Sequence, residues 1–129
     1  MTILLDTSVI IDCLNQQRGR REILKSLAEQ GHILACCPVI VAEAYAGAHP
    51  GDLERTARFL ENLAYVPITR EASRTAGKLK YAWARKGRTV ALADALIAAV
   101  TIPEGLALAT DNPKDFPMAE LKLYPLPRP

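Results

Sequence analysis

Thr2-Ile3-Leu4-Leu5-Asp6-Thr7-Ser8-Val9-Ile10-Ile11 turns from one backbone pattern to another at its single charge. Thr2 to Leu5 is a short β-rich run. From Ser8 to Asn15, Val9, Ile10, Cys13 and Leu14 fall at helical spacing on one face. A strand that stops at Asp6 and runs at once into a helix begins an alternation that the rest of the chain continues.

A second helix is predicted from about Arg20 to Gln30, with Ile23, Leu24 and Leu27 on one stripe and Gly31 at its end; Ile33 to Cys36 reads as a strand. Pro38 suits the first turn of a third helix ending near Gly47 or Pro50. Asp52 can cap a fourth, in which Leu53, Ala57, Leu60 and Leu63 or Ala64 recur at helical spacing. Tyr65 to Ile68 is predicted as a third strand, and Thr69 as the cap of a basic helix that runs to about Lys86 and stops at Gly87. Leu92 to Val100 is apolar on nearly every side, so that helix should be buried. Leu106 to Ala109 is a fourth strand, Pro113 to Phe116 a turn or short helix, and Leu121 to Tyr124 an edge strand bounded by prolines. Strands separated by helices predict an α/β fold: one domain over residues 1–129, with a parallel sheet of four to five strands covered on both faces.

Half of the 129 residues are apolar, enough for a real core. No apolar run approaches the roughly 20 residues of a membrane span, and the first strand follows the N-terminus with no basic leader, so a cytoplasmic protein is expected. Cys36 and Cys37 are adjacent, a poor geometry for a bridge, and the cysteines read as buried thiols.

Three carboxylates stand in runs that read as core: Asp6 above, Glu43 in Val39-Ile40-Val41-Ala42-Glu43-Ala44-Tyr45, and Asp94 in Ala91-Leu92-Ala93-Asp94-Ala95-Leu96-Ile97. Removing an ionised carboxylate from water costs several kcal/mol, and none of these runs contains a Lys or Arg to offset it. A shared divalent cation is the simplest offset. Mg²⁺ or Mn²⁺, hard and oxygen-ligated, would make the cluster a site for hydrolysing phosphate esters. In an open α/β sheet such a site forms beyond the carboxyl ends of the strands, where Asp6 and the Thr110-Asp111-Asn112 turn both fall. One of Asp111, Asn112 or Asp115 is expected to complete it.

Each residue also has a plainer reading. Asp6 or Thr7 can cap the first helix, Glu43 can face solvent, Asp94 can sit favourably at a helix N-terminus, and Asx-rich turns before proline arise for backbone reasons. Charge is concentrated rather than spread: residues 70 to 88 hold seven cations against Glu71, a net of +6 in a chain whose total is +2. A solvated helix face would explain that, as would a track for backbone phosphates, and an acidic site that must hold a polyanion favours the track. With only His32 and His49 and no Cys-x-x-Cys, a zinc site is poorly supported; neither a glycine-rich phosphate loop nor a histidine base beside Ser8 is present.

Leu4-Leu5-Asp6-Thr7-Ser8, Val41-Ala42-Glu43, Leu92-Ala93-Asp94-Ala95-Leu96-Ile97-Ala98 and Ala109-Thr110-Asp111-Asn112 with Asp115-Phe116-Pro117 together resemble the PIN-domain ribonucleases. The resemblance is strongest to the small VapC-type toxins of prokaryotic toxin-antitoxin systems, and it spans essentially the whole chain. It implies a three-layer α/β/α sandwich around a parallel sheet, and metal-dependent cleavage of RNA with Mg²⁺ or Mn²⁺. Asp6 and Asp94 would be the principal metal ligands and Glu43 the third acidic residue, while Asn112 seats itself where many members have Asp or Asn, with Asp115 nearby. Arg85 and Arg88 would grip RNA. A small antitoxin and a second copy of the chain are the implied partners, with the apolar positions Val9, Ile10, Leu14, Ile23, Leu24 and Leu27 available for a partner helix. Two other readings compete: a PIN fold that binds RNA or protein without cutting, and a Mg²⁺-dependent small-molecule phosphohydrolase. The latter wants a second Asp where Ser8 stands.

Overall fold

The computed structural model describes residues 1–127, and its five strands form one parallel sheet in the order β3-β2-β1-β4-β5. The strands are β1 (Thr2–Leu5), β2 (Ile33–Cys36), β3 (Ala64–Tyr65), β4 (Ala107–Ala109) and β5 (Lys122–Tyr124). The helices are α1 (Thr7–Leu14), α2 (Arg20–Glu29), α3 (Pro38–Ala46), α4 (Leu53–Glu61), α5 (Arg70–Arg85) and α6 (Leu92–Thr101). From β1 to β3 the chain steps across the sheet in one direction, through α1–α2 and then α3–α4. From β3 it returns past β1 to β4 through α5–α6. Right-handed crossovers therefore put α1 to α4 on one face and α5–α6 on the other, which is the expected three-layer arrangement. The direction reverses at β1, so the crevice between the carboxyl ends of β1 and β4 is the topological switch point.

Packing explains the β1 sequence. Ile3, Leu4 and Leu5 are fully buried because both sheet faces are covered, which is why the run is continuous rather than alternating. Val9 and Ile10 of α1, Ile97 of α6 and Leu108 of β4 join the same core, each worth about 1.5–3 kcal/mol of burial. That placement corrects one expectation: Val9 and Ile10 are wholly consumed by this core and cannot meet a partner.

Local signals set most boundaries. At Gly31 and Gly87, φ is +91° and +85°; in both turns the glycine N–H and the next N–H return to the last helical turn (His32 to Leu27, Arg88 to Trp83), closing α2 and α5. Thr69 Oγ1 caps α5 by accepting from the Ala72 N–H at 3.0 Å. Two expectations need correction. The third strand is Ala64–Tyr65, not Tyr65 to Ile68: Val66 makes one last bond to the Cys36 carbonyl, and Pro67 has no N–H with which to continue. Asp52 occupies the N-cap position of α4 but makes no capping bond, because its carboxylate turns to Arg55 at 3.4 Å. Cys13, Cys36 and Cys37 are free, buried thiols, and burial pushes all three above the ordinary thiol range. No helix among the described residues is long and apolar enough to cross a membrane.

Candidate active site

Asp6 emerges from β1 at the switch point, and its backbone N–H extends the sheet by donating to the Ala109 carbonyl at 2.9 Å. Leu5 is in register with Ala109, so the next residue of each strand, Asp6 and Thr110, leaves the sheet side by side. The Thr110 hydroxyl donates to Asp6 Oδ2 at 2.6 Å, and the Thr7 N–H donates to Oδ1 at 2.9 Å. Asp6 therefore caps α1, as the plainer reading proposed, while each carboxylate oxygen keeps acceptor capacity for a further partner. Thr110 Oγ1 in turn accepts from the Asn112 N–H at 3.0 Å, which fixes the turn after β4.

The other carboxylates arrive from separate elements. Glu43 comes from α3, and its Oε1 accepts from the Thr7 hydroxyl at 2.7 Å, so Thr7 links it to Asp6 through adjacent groups. Asp94 lies in the first turn of α6, where the helix dipole favours an anion. Asp115 ends the short 3₁₀ turn Pro113–Asp115. Their fields overlap. Burial pushes Asp94 up to about 6, with the charges of Asp6, Asp115 and Glu43 adding to the rise. Asp6 is likewise raised, by burial above all, against the lowering effect of its bonds from Thr110 and Thr7.

The expectation that all three principal carboxylates lie in core is corrected by these positions. Only Asp6 is buried; Asp94 is half-buried, and Glu43 is exposed on the rim of α3 because its helix presents that edge to the crevice. The turn after β4 separates the three candidates for a fourth acidic group. Asp111 points away, to Arg20 and Arg18. Asn112 is exposed and is tied in through its backbone N–H, not its side chain. Asp115 is the one whose charge both Asp6 and Asp94 feel. Thr110 is the residue the sequence reading undervalued: its signal was its position directly after β4, matching Asp6 after β1.

The donor set suits a hard cation. It is all oxygen, and among the described residues none of Asp6, Glu43, Asp94 or Asp115 pairs with a Lys or Arg. Ser8 Oγ, in the first turn of α1, is buried without a hydrogen-bond partner among the described residues. These side chains do not by themselves adopt a joint ligating geometry among the described residues.

The PIN domain model matches residues 3–120. Ribonuclease VapC10 of Mycobacterium tuberculosis is 33% identical over 118 residues, covering 92% of this chain and 88% of that protein. Ribonuclease VapC19 of the same organism is 27% identical over 115 residues, covering 89% and 92%. Among solved structures, the VapBC2 complex of Rickettsia felis bound to a fragment of its promoter DNA contains a similar fold, with a TM-score of 0.82 at 23% identity over 96% of this chain and 98% of that one.

Proposed function

The chain belongs to the PIN-domain family, and on that premise we propose that it is a divalent-metal-dependent endoribonuclease, the toxin of a toxin-antitoxin pair. The observation that carries this reading is the group of four carboxylates, without a paired cation among the described residues, at the switch point of the sheet, centred on the buried Asp6. Asp6, Asp94 and Glu43 would hold Mg²⁺ or Mn²⁺, and Asp115 rather than Asn112 would be the fourth acidic group. When bound, such an ion acidifies a water and neutralises charge on a phosphodiester. The chain's own part is positioning. Thr7 and Thr110 lock the Asp6 carboxylate in one orientation, the Thr7 hydroxyl holds Glu43, and the Pro113–Asp115 turn brings Asp115 to the rim.

Arg85 and Arg88 are assigned to RNA contact by their charge and by their proximity in sequence to α6. Arg88 also donates to the Lys114 carbonyl, which braces the turn carrying Asp115. The relatives carry the name ribonuclease, and the solved neighbour is a VapBC complex, which supports an antitoxin partner; a cytoplasmic site of action is part of the same proposal. The apolar groove of about 750 Å³ between α1, α2, β2 and α4, rimmed by Arg21, Lys25, Arg55 and Arg58, suits an amphipathic antitoxin helix with acidic edges. A homodimer is part of the same proposal.

The test is cleavage of a structured RNA pool by the purified, partner-free protein in EDTA and then in Mn²⁺ or Mg²⁺, beside Asp6→Asn. Cutting should require the ion and fall at least roughly 1,000-fold in the variant, several kcal/mol of transition-state stabilisation. Metal binding without cutting would leave a binding module or a small-molecule phosphohydrolase.

A further inference from the structure

Four carboxylates at one site repel the phosphates of an RNA strand, so cations must stand close by to hold it. One group of cations stands across Thr110 from the cluster. There the carboxyl ends of β4 and β5 and the α1–α2 connection enclose a pocket of about 950 Å³. Its lining contains Arg18, Arg20 and Lys114 against one carboxylate, Asp111, beside the apolar side chains of Leu123 and Leu126. Thr110 lines the pocket and also donates to Asp6, so the two sites share a wall.

The cations differ in what they can do. Arg20 is 1% exposed and held at both terminal nitrogens: it donates to Asp111 and, at 3.0 Å, to the Pro127 carbonyl, while its buried Nε has no partner among the described residues. It forms a rigid floor. Arg18 is half exposed and stands 3.6 Å from Asp12 and from Asp111, loose surface pairings that a phosphate can replace. It is carried to the pocket by a strained connection, since Gln16 and Arg18 both adopt positive φ (54° and 56°) without being glycine. Lys114 is exposed, lines the pocket and immediately precedes Asp115 in the same short turn, so one turn serves both sites.

We propose that this pocket is the subsite for the RNA strand flanking the scissile phosphate. Arg18 and Lys114 meet backbone phosphates, the Arg20–Asp111 pair keeps the floor in shape, and Leu123 with Leu126 offers a base an apolar wall. The proposal rests on the nuclease reading of the neighbouring carboxylates, and it places the principal grip at this pocket rather than on α5.

The experiment measures binding of fluorescein-labelled uridine and adenosine homopolymers to the full chain in EDTA across a salt series, for the parent, Arg18→Ala, Lys114→Ala and Lys25→Ala. Lys25→Ala removes the same charge from an exposed position on α2, in the groove on the far side of that helix. Arg18→Ala and Lys114→Ala should each weaken binding about 5- to 10-fold and lower the slope of log affinity against log salt by about 1, equally for both homopolymers. Lys25→Ala should leave the slope unchanged, and melting curves should show all variants folded. Parental affinity and slope in both Arg18→Ala and Lys114→Ala, from a parent that cuts the same RNA in Mn²⁺, would overturn the subsite and spare the nuclease. A parent that neither binds nor cuts would overturn the nuclease reading itself.

Discussion

Thr110 separates two carboxylate environments that could hardly differ more. On one side Asp6, Glu43, Asp94 and Asp115 share a rim with no basic partner among the described residues, and Asp94 is pushed up to about 6 by burial and by its neighbours' charge. On the other side Asp111 is held by the fully buried Arg20, with Arg18 at 3.6 Å. Asp111 has its countercharges within the chain. The Asp6 side is not balanced within the chain, and charge left uncompensated in a crevice is a demand for a ligand.

The contrast breaks most visibly if Arg20 is removed. Arg20→Met keeps the volume of the stem but leaves Asp111 without its buried partner and frees the Pro127 carbonyl. A loss of about 3–5 kcal/mol is expected, read as a lower urea midpoint at unchanged slope. Adding Asp111→Leu to Arg20→Met should recover a large part of that loss, because both charges are then gone. A double variant no more stable than Arg20→Met would mean that Arg20 acts through its packing, not through the pair.

How much of this was legible beforehand follows the same division. Strand–helix alternation, the parallel sheet, the place of Asp6 directly after β1 and that of Asp94 near the start of a helix could be read because apolar periodicity and lone charges are local signals. That Asp111 turns away from the cluster could not be read, because it depends on Arg20, which is 91 residues away from Asp111 in sequence and carried no mark of its burial. The exposure of Glu43 was hidden for a related reason: a mostly apolar helix does not reveal which of its edges overhangs a crevice. Asp52 shows the limit of a local rule, since a residue of capping type at the capping position found a better partner in Arg55.

Deleting a charge on the other side of Thr110 should have the opposite sign. In the metal-free protein the folded state holds the Asp94 proton up to about pH 6, whereas the unfolded chain releases it near 3.8. Between those values the fold binds more protons than the unfolded chain, so this group makes the fold less stable as pH rises toward 7. Asp94→Asn in EDTA should therefore melt a few degrees above the parent at pH 7, with the gap closing by about pH 4. Mn²⁺ should invert the order at pH 7 by stabilising the parent more than the variant. A variant that melts below the parent in EDTA at pH 7 would erase the distinction between the two sides.

The smallest expected effects sharpen the comparison along the basic segment. Arg88 reaches across to the Lys114 carbonyl and so touches the turn that carries both Lys114 and Asp115. Arg85 instead lies 5.9 Å from the Tyr81 ring centroid on an exposed stretch of α5. If the turn must be held for Asp115 to act, Arg88→Ala should lower kcat about 10-fold through misplacement, in addition to a small loss of RNA affinity like that of Arg85→Ala. Arg85→Ala should leave kcat alone and weaken RNA affinity only about two- to three-fold at low salt, because a lone exposed cation in water contributes little. Equal effects of the two substitutions on kcat and affinity would show that Arg88 serves the strand as Arg85 does. The bond to the Lys114 carbonyl would then contribute nothing to the site.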